Sequence, residues 1–218
     1  GRDVVEIDLL KRVEVLKGPS SALYGSDGLA GAVAYTTKDP SDYLDGKQVH
    51  FSSGARHDSS SDRNKFSILA AGAYGDIEAM VQVVDHSLSE RNLHDDVTMA
   101  ANSLDGEQES LFTKLKYNLN DSISFTLTAD EQNWSGDWNL ATDIGMSFFP
   151  AIVNTSSSLG QDRGFRDRYS LDIDIEINSI FAERASVKFY SQTTEQSQMT
   201  TKEKQTFGRG PQFGPTSM

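Results

Sequence analysis

The chain has 218 residues, 37% of them hydrophobic, with 32 acidic and 20 basic side chains that give a net charge of −12. This acidic balance argues against nucleic-acid binding, which needs a concentrated positive field. The absence of cysteine excludes disulfides, thiolate metal sites and cysteine nucleophiles. There is no apolar run of about 18 residues, so a membrane-spanning helix is excluded, whereas a barrel of alternating strands is not. The opening residues lack the pattern of a signal peptide, and we expect the natural N-terminus to lie upstream of Gly1.

Residues 1–40 lack the long-strand pattern of the rest of the chain. The sequence predicts a short strand at 13–16, a turn at 18–19, a second turn at 24–28 and a strand of small and β-branched residues at 30–37. Glycines recur through this stretch, at positions 18, 25, 28 and 31. They permit positive φ and close packing against another surface.

From residue 46 onward the dominant period of the sequence is two. The clearest segment runs from 169 to 177, where Tyr169, Leu171, Ile173, Ile175 and Ile177 alternate with serine and acidic residues. A strand places the apolar side chains on one face and the carboxylates on the other, whereas a helix would scatter them. Comparable alternation begins near residues 48, 65, 77, 111, 123 and 185. We predict seven strands of about 10 residues, the length that crosses a bilayer at a tilt.

The predicted connections alternate in length. Short connections are expected at 75–76, 120–121 and 178–183, and long loops at 56–64, 86–106 and 131–165. This asymmetry is typical of outer-membrane barrels. It favours a membrane barrel over a soluble β-sandwich, which the period alone leaves equally open. Seven strands do not close a barrel, and an open edge is costly in lipid, so we expect the strand series to continue beyond Met218.

Several spaced elements near the N-terminus occur together in order. They are Val-Glu-Val-Leu at 13–16, Gly-Pro at 18–19, Ala-Leu-Tyr-Gly-Ser at 22–26, small residues at 28 and 31–33, and Thr-Lys at 37–38. This stretch resembles the C-terminal part of the plug domain of TonB-dependent receptors. The resemblance assigns a structural or gating role to Lys17, Gly18, Pro19, Tyr24, Gly25, Ser26, Gly28 and Gly31. Lys17 stands where the family usually has arginine, so a plug-to-barrel ion pair at this position is expected to be looser.

The resemblance implies a mostly all-β fold in which a plug meets a barrel. Residues 1–40 would be the C-terminal part of the plug, and residues 41–218 the first seven or so strands of a transmembrane antiparallel β-barrel. Barrels of about 22 strands need such a plug. Within the family, residues 8–11, 26–33 and 36–40 look most like the heme and hemoglobin receptor branch.

That branch implies an active transport receptor in the bacterial outer membrane. Heme, hemoglobin or a siderophore would be the ligand, heme or a ferric chelate the transported cargo, and TonB and outer-membrane lipid the partners. No intrinsic cofactor, metal site, catalytic residue or enzymatic activity is expected. Two alternatives remain open: a ferric-siderophore or vitamin receptor of the same fold, and a soluble β-sandwich binding module. We also expect this stretch not to fold alone in water, because its lipid-facing side chains would be exposed.

Four histidines are candidate heme ligands, since histidine holds iron weakly enough to release it. A lone surface histidine is more often simply solvated. His57 lies in the first predicted long loop, and His86 and His94 lie in the second. The hypothesis that His86 or His94 binds heme at the extracellular mouth rests on that loop position. His50 falls on the polar, lumen-facing side of the first strand.

Two further groups of residues are conspicuous. Trp134, Trp138, Phe148 and Phe149 lie in the third predicted long loop, where they fit either the bilayer interface or the ligand mouth. Asp172, Asp174 and Glu176 lie at alternate positions about 7 Å apart, too far to share one ion. They are expected to line a hydrated lumen.

Overall fold

The computed structural model describes residues 6–18, 31–90, 101–149, 151–177 and 182–209, and these form two antiparallel sheets. The smaller sheet is a pair of strands, β1 (Leu10–Lys17) and β2 (Gly31–Thr37). A 3-10 turn (Ile7–Leu9) precedes β1, and a short helix, α1 (Ser41–Leu44), follows β2. The described residues 6–18 and 31–44 are called the N-terminal segment below.

The larger sheet is a meander in which each long strand lies beside the next one in the chain. Its strands are β3 (Val49–Asp58), β4 (Arg63–Tyr74), β5 (Ile77–Ser89), β6 (Ser103–Asn120), β7 (Ile123–Asn139), β8 (Gly145–Ser147), β9 (Ala151–Glu176) and β10 (Arg184–Arg209). The order across the sheet is β3-β4-β5-β6-β7-β9-β10, and short β8 pairs with β9. This open antiparallel sheet confirms the mostly all-β, partial-barrel fold class. In the part of the chain that the structure describes, no helix is long and apolar enough to cross a membrane.

The short connections lie near the predicted positions. Gly75 has φ +57° in the turn between β4 and β5, a backbone conformation that glycine adopts readily. The turn after β6 is closed by Asn120, whose Oδ1 accepts hydrogen bonds of 2.9 Å from the N–H groups of Ser122 and Ile123. The predicted connection at 178–183 lies partly outside the described residues. The end of the sheet that carries these connections is called the turn end, and the opposite end the loop end.

The predicted loop bounds were wrong, because the strands run further than expected. Strands β6, β7, β9 and β10 contain 18, 17, 26 and 26 residues rather than about 10. The first connection at the loop end is 59–62, the second begins only after Ser89, and most of 131–165 is strand. Toward the loop end the outward positions of β6 and β7 are polar as well, so the hydrophobic alternation disappears while the backbone pairing continues.

The outer face of the sheet is an exposed apolar band. One row of directly paired residues consists of Leu115, Leu127, Leu171 and Phe189. On β6 the outward apolar positions run from Leu111 to Leu119, which matches the roughly 9–11 residues of a membrane-spanning strand. Leu115, Leu127 and Phe189 are exposed and Leu171 is half-buried. No second sheet covers this face among the described residues, as expected for a barrel and not for a soluble sandwich.

The inner face carries the N-terminal segment. A hydrophobic cluster joins Leu9 and Leu44 of that segment to Leu69, Ala71, Met80 and Phe112 of the large sheet. Tyr43 and Ala73 pack against it. Within the apolar band the strands therefore present apolar residues outward and mostly polar residues inward, except where this cluster docks the segment.

Candidate functional site

A buried lysine of β4 holds the start of the N-terminal segment. The Lys65 side chain is 14% exposed, and its Nζ lies 2.5 Å from Glu6 Oε1 and 2.5 Å from Asp8 Oδ2. His86 pairs directly with Lys65 across β4 and β5, and its Nε2 lies 3.0 Å from Glu6 Oε2. One carboxylate of the segment thus contacts two side chains of the sheet. We call Lys65, His86, Glu6 and Asp8 the first clamp.

The environment of Glu6 keeps its carboxylate ionised. Burial raises the pKa of Glu6, but hydrogen bonds from His86 and Lys65, the charge of Lys65 and the Asp8 N–H outweigh it and bring the pKa to about 2. The ordinary value of this pKa is 4.5. Contact with charged and hydrogen-bonding partners therefore prevails over desolvation.

A second buried lysine holds the end of the segment. Lys114 of β6 is 5% exposed, and its Nζ donates to Thr37 Oγ1 at 2.9 Å, to the carbonyl oxygen of Lys38 at 2.8 Å and to Asp39 Oδ1 at 3.0 Å. These three acceptors match the three donors of an ammonium group. We call Lys114 with residues 37–39 the second clamp.

The two ends of the segment are also tied to each other. The N–H of Lys38 donates to the carbonyl oxygen of Leu9 at 2.8 Å, and Lys11 Nζ lies 2.8 Å from Asp42 Oδ1. Burial raises the pKa of Asp42, but the hydrogen bonds from Lys11 and from the Asp39 N–H outweigh it and lower that pKa. The two ends of the N-terminal segment are therefore bonded to each other, and each end is also bound to the large sheet by one of the two clamps.

Three of the predicted plug-motif residues lie in the described part. Lys17 pairs with Gly31 across β1 and β2, and Gly18 and Gly31 have φ values of +109° and +151°. A Cβ on Gly31 would lie 2.5 Å from the Leu16 carbonyl oxygen, so the strand pair requires glycine there. Pro19, Tyr24, Gly25, Ser26 and Gly28 lie outside the described residues. No ion pair joins Lys17 to a described residue, and the pairs with the sheet are made by Lys65 and Lys114 instead.

The histidines do not lie where the loop predictions placed them. His86 belongs to β5, not to a loop, and faces inward against Glu6. His57 belongs to β3 rather than a loop, is exposed, and its Nδ1 lies 3.0 Å from Asn64 Oδ1. His50 does face inward, with its ring centroid 5.8 Å from that of Tyr43. His94 lies outside the described residues.

The tryptophans lie on the inner face of β7 rather than in a loop. Trp134 covers Gly164 so closely that an added Cβ there would overlap the indole ring. Trp138 Nε1 donates to Asp162 Oδ2 at 2.9 Å. Because both indole side chains point inward, they do not fit the predicted position at the bilayer interface. Their direction is consistent with the other predicted position, at the ligand mouth. Phe148 and Phe149 are exposed beside β8.

Two of the three carboxylates in the acidic ladder of β9 lie near basic residues of β10. Lys188 Nζ lies 2.8 Å from Asp172 Oδ1, and Arg184 Nη2 lies 4.0 Å from Glu176 Oε1. Asp172 and Asp174 line a polar cleft of about 440 Å³ between β2 and the sheet. Among the described residues there is no group of three or more side chains suited to a metal ion.

A row of polar and aromatic residues crosses the inner face at the level of the first clamp. Arg56 pairs with Lys65, Lys65 with His86, His86 with Gln108, and Gln108 with Trp134. A cleft of about 340 Å³ opens over this row, and Arg63, Asn64 and Asp58 line it together with Glu6 and Asp8. Sequence reasoning missed Arg56, Lys65 and Lys114, because an inward-facing basic residue in an alternating strand resembles any other lumen residue.

Comparison with known proteins identifies this arrangement. Residues 1–32 match the family model of the TonB-dependent receptor plug domain. Part of this matched stretch, residues 6–18, belongs to the N-terminal segment on the inner face of the large antiparallel sheet. The predicted resemblance to TonB-dependent receptors is therefore confirmed.

The relatives point to one branch of that class. The chain is 31% identical over 153 residues to the hemoglobin and hemoglobin-haptoglobin-binding protein of Haemophilus ducreyi, covering 64% of this chain and 16% of the relative. It is 31% identical over 139 residues to hemoglobin-binding protein A of Haemophilus influenzae, covering 59% and 14%. It is 43% identical over 68 residues to the hemin receptor of Yersinia pestis, covering 31% and 10%. The chain therefore resembles the hemoglobin and hemin receptor branch, and it spans only a small part of these relatives.

Proposed function

We propose that the receptor to which this chain belongs lies in the bacterial outer membrane and imports heme, or iron delivered as heme by hemoglobin, using energy transmitted by TonB. One structural observation carries this proposal. A plug-like segment is held by two buried lysines on the polar face of a sheet whose opposite face is an exposed apolar band. The names of the relatives favour heme over a ferric siderophore or a vitamin.

In this proposal the two faces of the sheet have separate tasks. The apolar band contacts outer-membrane lipid, and the inner face holds the plug and lines the path of the ligand. Residues 1–40 act as the end of the plug and residues 41–218 as barrel, with Lys17, Gly18 and Gly31 shaping the plug hairpin. Heme is cargo rather than a resident cofactor, and the protein is a transporter without enzymatic chemistry.

The histidine candidates now differ in what each would need in order to bind heme. The Nε2 of His86 is engaged by Glu6, so His86 becomes an iron ligand only when the N-terminal segment moves. His57 is exposed, and its Nδ1 lies 3.0 Å from Asn64 Oδ1 and its Nε2 3.9 Å from Asp62 Oδ1, so it could bind heme without movement of the N-terminal segment. His94 stays a candidate on sequence grounds alone.

Growth on defined iron sources tests the proposed function. A strain lacking the receptor should fail to grow when heme or hemoglobin is the only iron source, and the full-length gene should restore growth in a strain with TonB but not in one without it. Growth on a ferric siderophore is the control and should be unchanged. If the deletion strain grows normally on heme but not on the siderophore, the heme assignment is wrong and the receptor class stands.

A further inference from the structure

We propose that the cleft beside the first clamp, lined by Arg56, Arg63, Lys65 and His86, binds the carboxylate end of a planar dianionic ligand and so competes with the plug for Lys65. The inference rests on the proposed function, in which that ligand is heme and its two propionates are the carboxylates. Beyond heme import itself, the inference names a site that binds the propionates. It also links the binding of heme to the docking of the plug.

Two arginines supply the positive charge that the clamp does not use. Arg56 and Arg63 lie on adjacent strands, where Arg56 pairs with Lys65 and Arg63 with Asp58. Both line the cleft, and both are exposed. No ion pair or side-chain hydrogen bond joins either guanidinium to another described residue, whereas Lys65 beside them contacts both Glu6 and Asp8. The guanidinium groups of Arg56 and Arg63, next to the ammonium group of Lys65, can bind two carboxylates. A guanidinium group binds a carboxylate through two parallel hydrogen bonds.

The rest of the row suits the apolar body of such a ligand. Beyond His86 the row continues through the neutral Gln108 to Trp134, whose indole ring occupies the space that a side chain on Gly164 would need. An indole face offers a flat apolar surface of the kind on which conjugated rings stack. The row thus changes from basic residues to an aromatic residue across the inner face. The carboxylates of a planar dianionic ligand would contact the basic end and its apolar rings the aromatic end.

Competition for Lys65 follows from charge. Glu6 and Asp8 reach into the same cleft, and Lys65 is their shared cation. A carboxylate bound at Arg56 and Arg63 adds negative charge beside these two side chains and offers Lys65 a further partner. Ligand binding and segment docking are therefore linked, and each weakens the other by the same factor.

The test uses the full-length receptor in detergent and two ligands that differ only in charge, heme and heme dimethyl ester. We expect the wild-type receptor to bind heme at least about tenfold more tightly than the ester, since hydrogen bonds between charged groups account for factors of this size. The variant R56Q/R63Q should lose that preference by binding heme about tenfold less tightly and the ester unchanged. The control R168Q removes an inner-face arginine near Tyr190, away from the cleft, and should leave both affinities unchanged. A spin label at Ser41→Cys should become more mobile with heme and not with the ester.

Each contrary outcome has a definite meaning. Equal wild-type affinities for heme and the ester overturn the site, and this comparison does not depend on any variant folding. An equal loss of heme affinity in R168Q overturns it as well, because the effect would then be a general field. If the wild-type receptor binds neither ligand, the proposed function itself fails. If heme binds with the expected preference but the Ser41 label does not respond, the link to the plug is wrong.

Discussion

Lys65 and Lys114 hold opposite ends of one strand pair: Lys65 binds the carboxylates that precede β1, and Lys114 binds the groups that follow β2. Strands β4 and β6, which carry them, are separated by β5 in the sheet. Because the segment is closed on itself, lifting either end breaks an ion pair with a lysine of the sheet. In the proposed function, both clamps would have to open before the plug could move.

The first prediction concerns the unequal strength of the two clamps. Lys65→Met leaves Glu6, whose side chain is 5% exposed, without its cation, and loss of one partner of a buried pair costs about 3–5 kcal/mol. Lys114→Met should cost less, because its partner Asp39 is 40% exposed and can be solvated. Hydrogen exchange of residues 6–17 in the full-length receptor measures the opening of the segment.

Lys188→Met is the control for both clamp variants. Its pair with Asp172 is itself largely exposed, at 52% for the lysine side chain, and exposed pairs contribute at most about 1 kcal/mol. Exchange rates of the segment should not change. If Lys65→Met and Lys188→Met accelerate exchange equally, the clamp has no special role in docking.

The second prediction is an acid-dependent release of the segment. The pKa of Glu6 is about 2 when docked against an ordinary value of 4.5, so the docked state binds fewer protons than the released one. The stabilisation is complete above about pH 4.5 and is lost as the pH falls through 2, with a total on the order of 3 kcal/mol. The depressed pKa of Asp42 acts in the same direction.

A spin label at Ser41→Cys in the full-length receptor follows this release as the pH is lowered from 7 to 2.5. Mobility should rise only in the acid part of that range. Adding Glu6→Gln should increase mobility at pH 7 and flatten the acid response. An unchanged acid response in the Glu6→Gln receptor would show that another group controls docking.

The third prediction compares two glycines of β9 that lie beneath the two tryptophans. A Cβ on Gly164 would overlap Trp134 and also approach the Glu195 carbonyl oxygen to 2.8 Å, whereas a Cβ on Gly160 would meet Trp138 Cβ at an ordinary 3.4 Å. Gly164→Ala should therefore cost about 1–3 kcal/mol as an overpacking change, and Gly160→Ala well under about 1 kcal/mol. Thermal unfolding of the full-length receptor measures both, and equal effects would contradict the packing at Trp134.

How much the sequence could predict depended on where each residue lies along its strand. The row through Leu115, Leu127 and Leu171 was predictable, because an apolar outer face and a polar inner face impose a period of two on the sequence. His86 and Trp134 were assigned to loops, because beyond the apolar band that contrast ends while the backbone ladder continues. Lys65 and Lys114 gave no signal, since their partners Glu6 and Asp39 are distant in the chain and only the docked segment brings them together.

The fourth prediction tests which face of the sheet meets lipid. Leu127→Arg places a charge in the outward apolar row, where an arginine near the bilayer midplane costs about 2–4 kcal/mol. Thr126→Arg, one residue away, points instead into the polar cleft lined by Asp172 and Asp174, where the carboxylates can pair with the new cation. Folding of the full-length receptor into lipid vesicles, followed by the heat-dependent shift in gel mobility, should be impaired by Leu127→Arg and largely retained by Thr126→Arg. Positions 126 and 127 are adjacent in the chain, and their side chains point to opposite faces of the sheet. If Thr126→Arg impaired folding and Leu127→Arg did not, the apolar row would have to face inward.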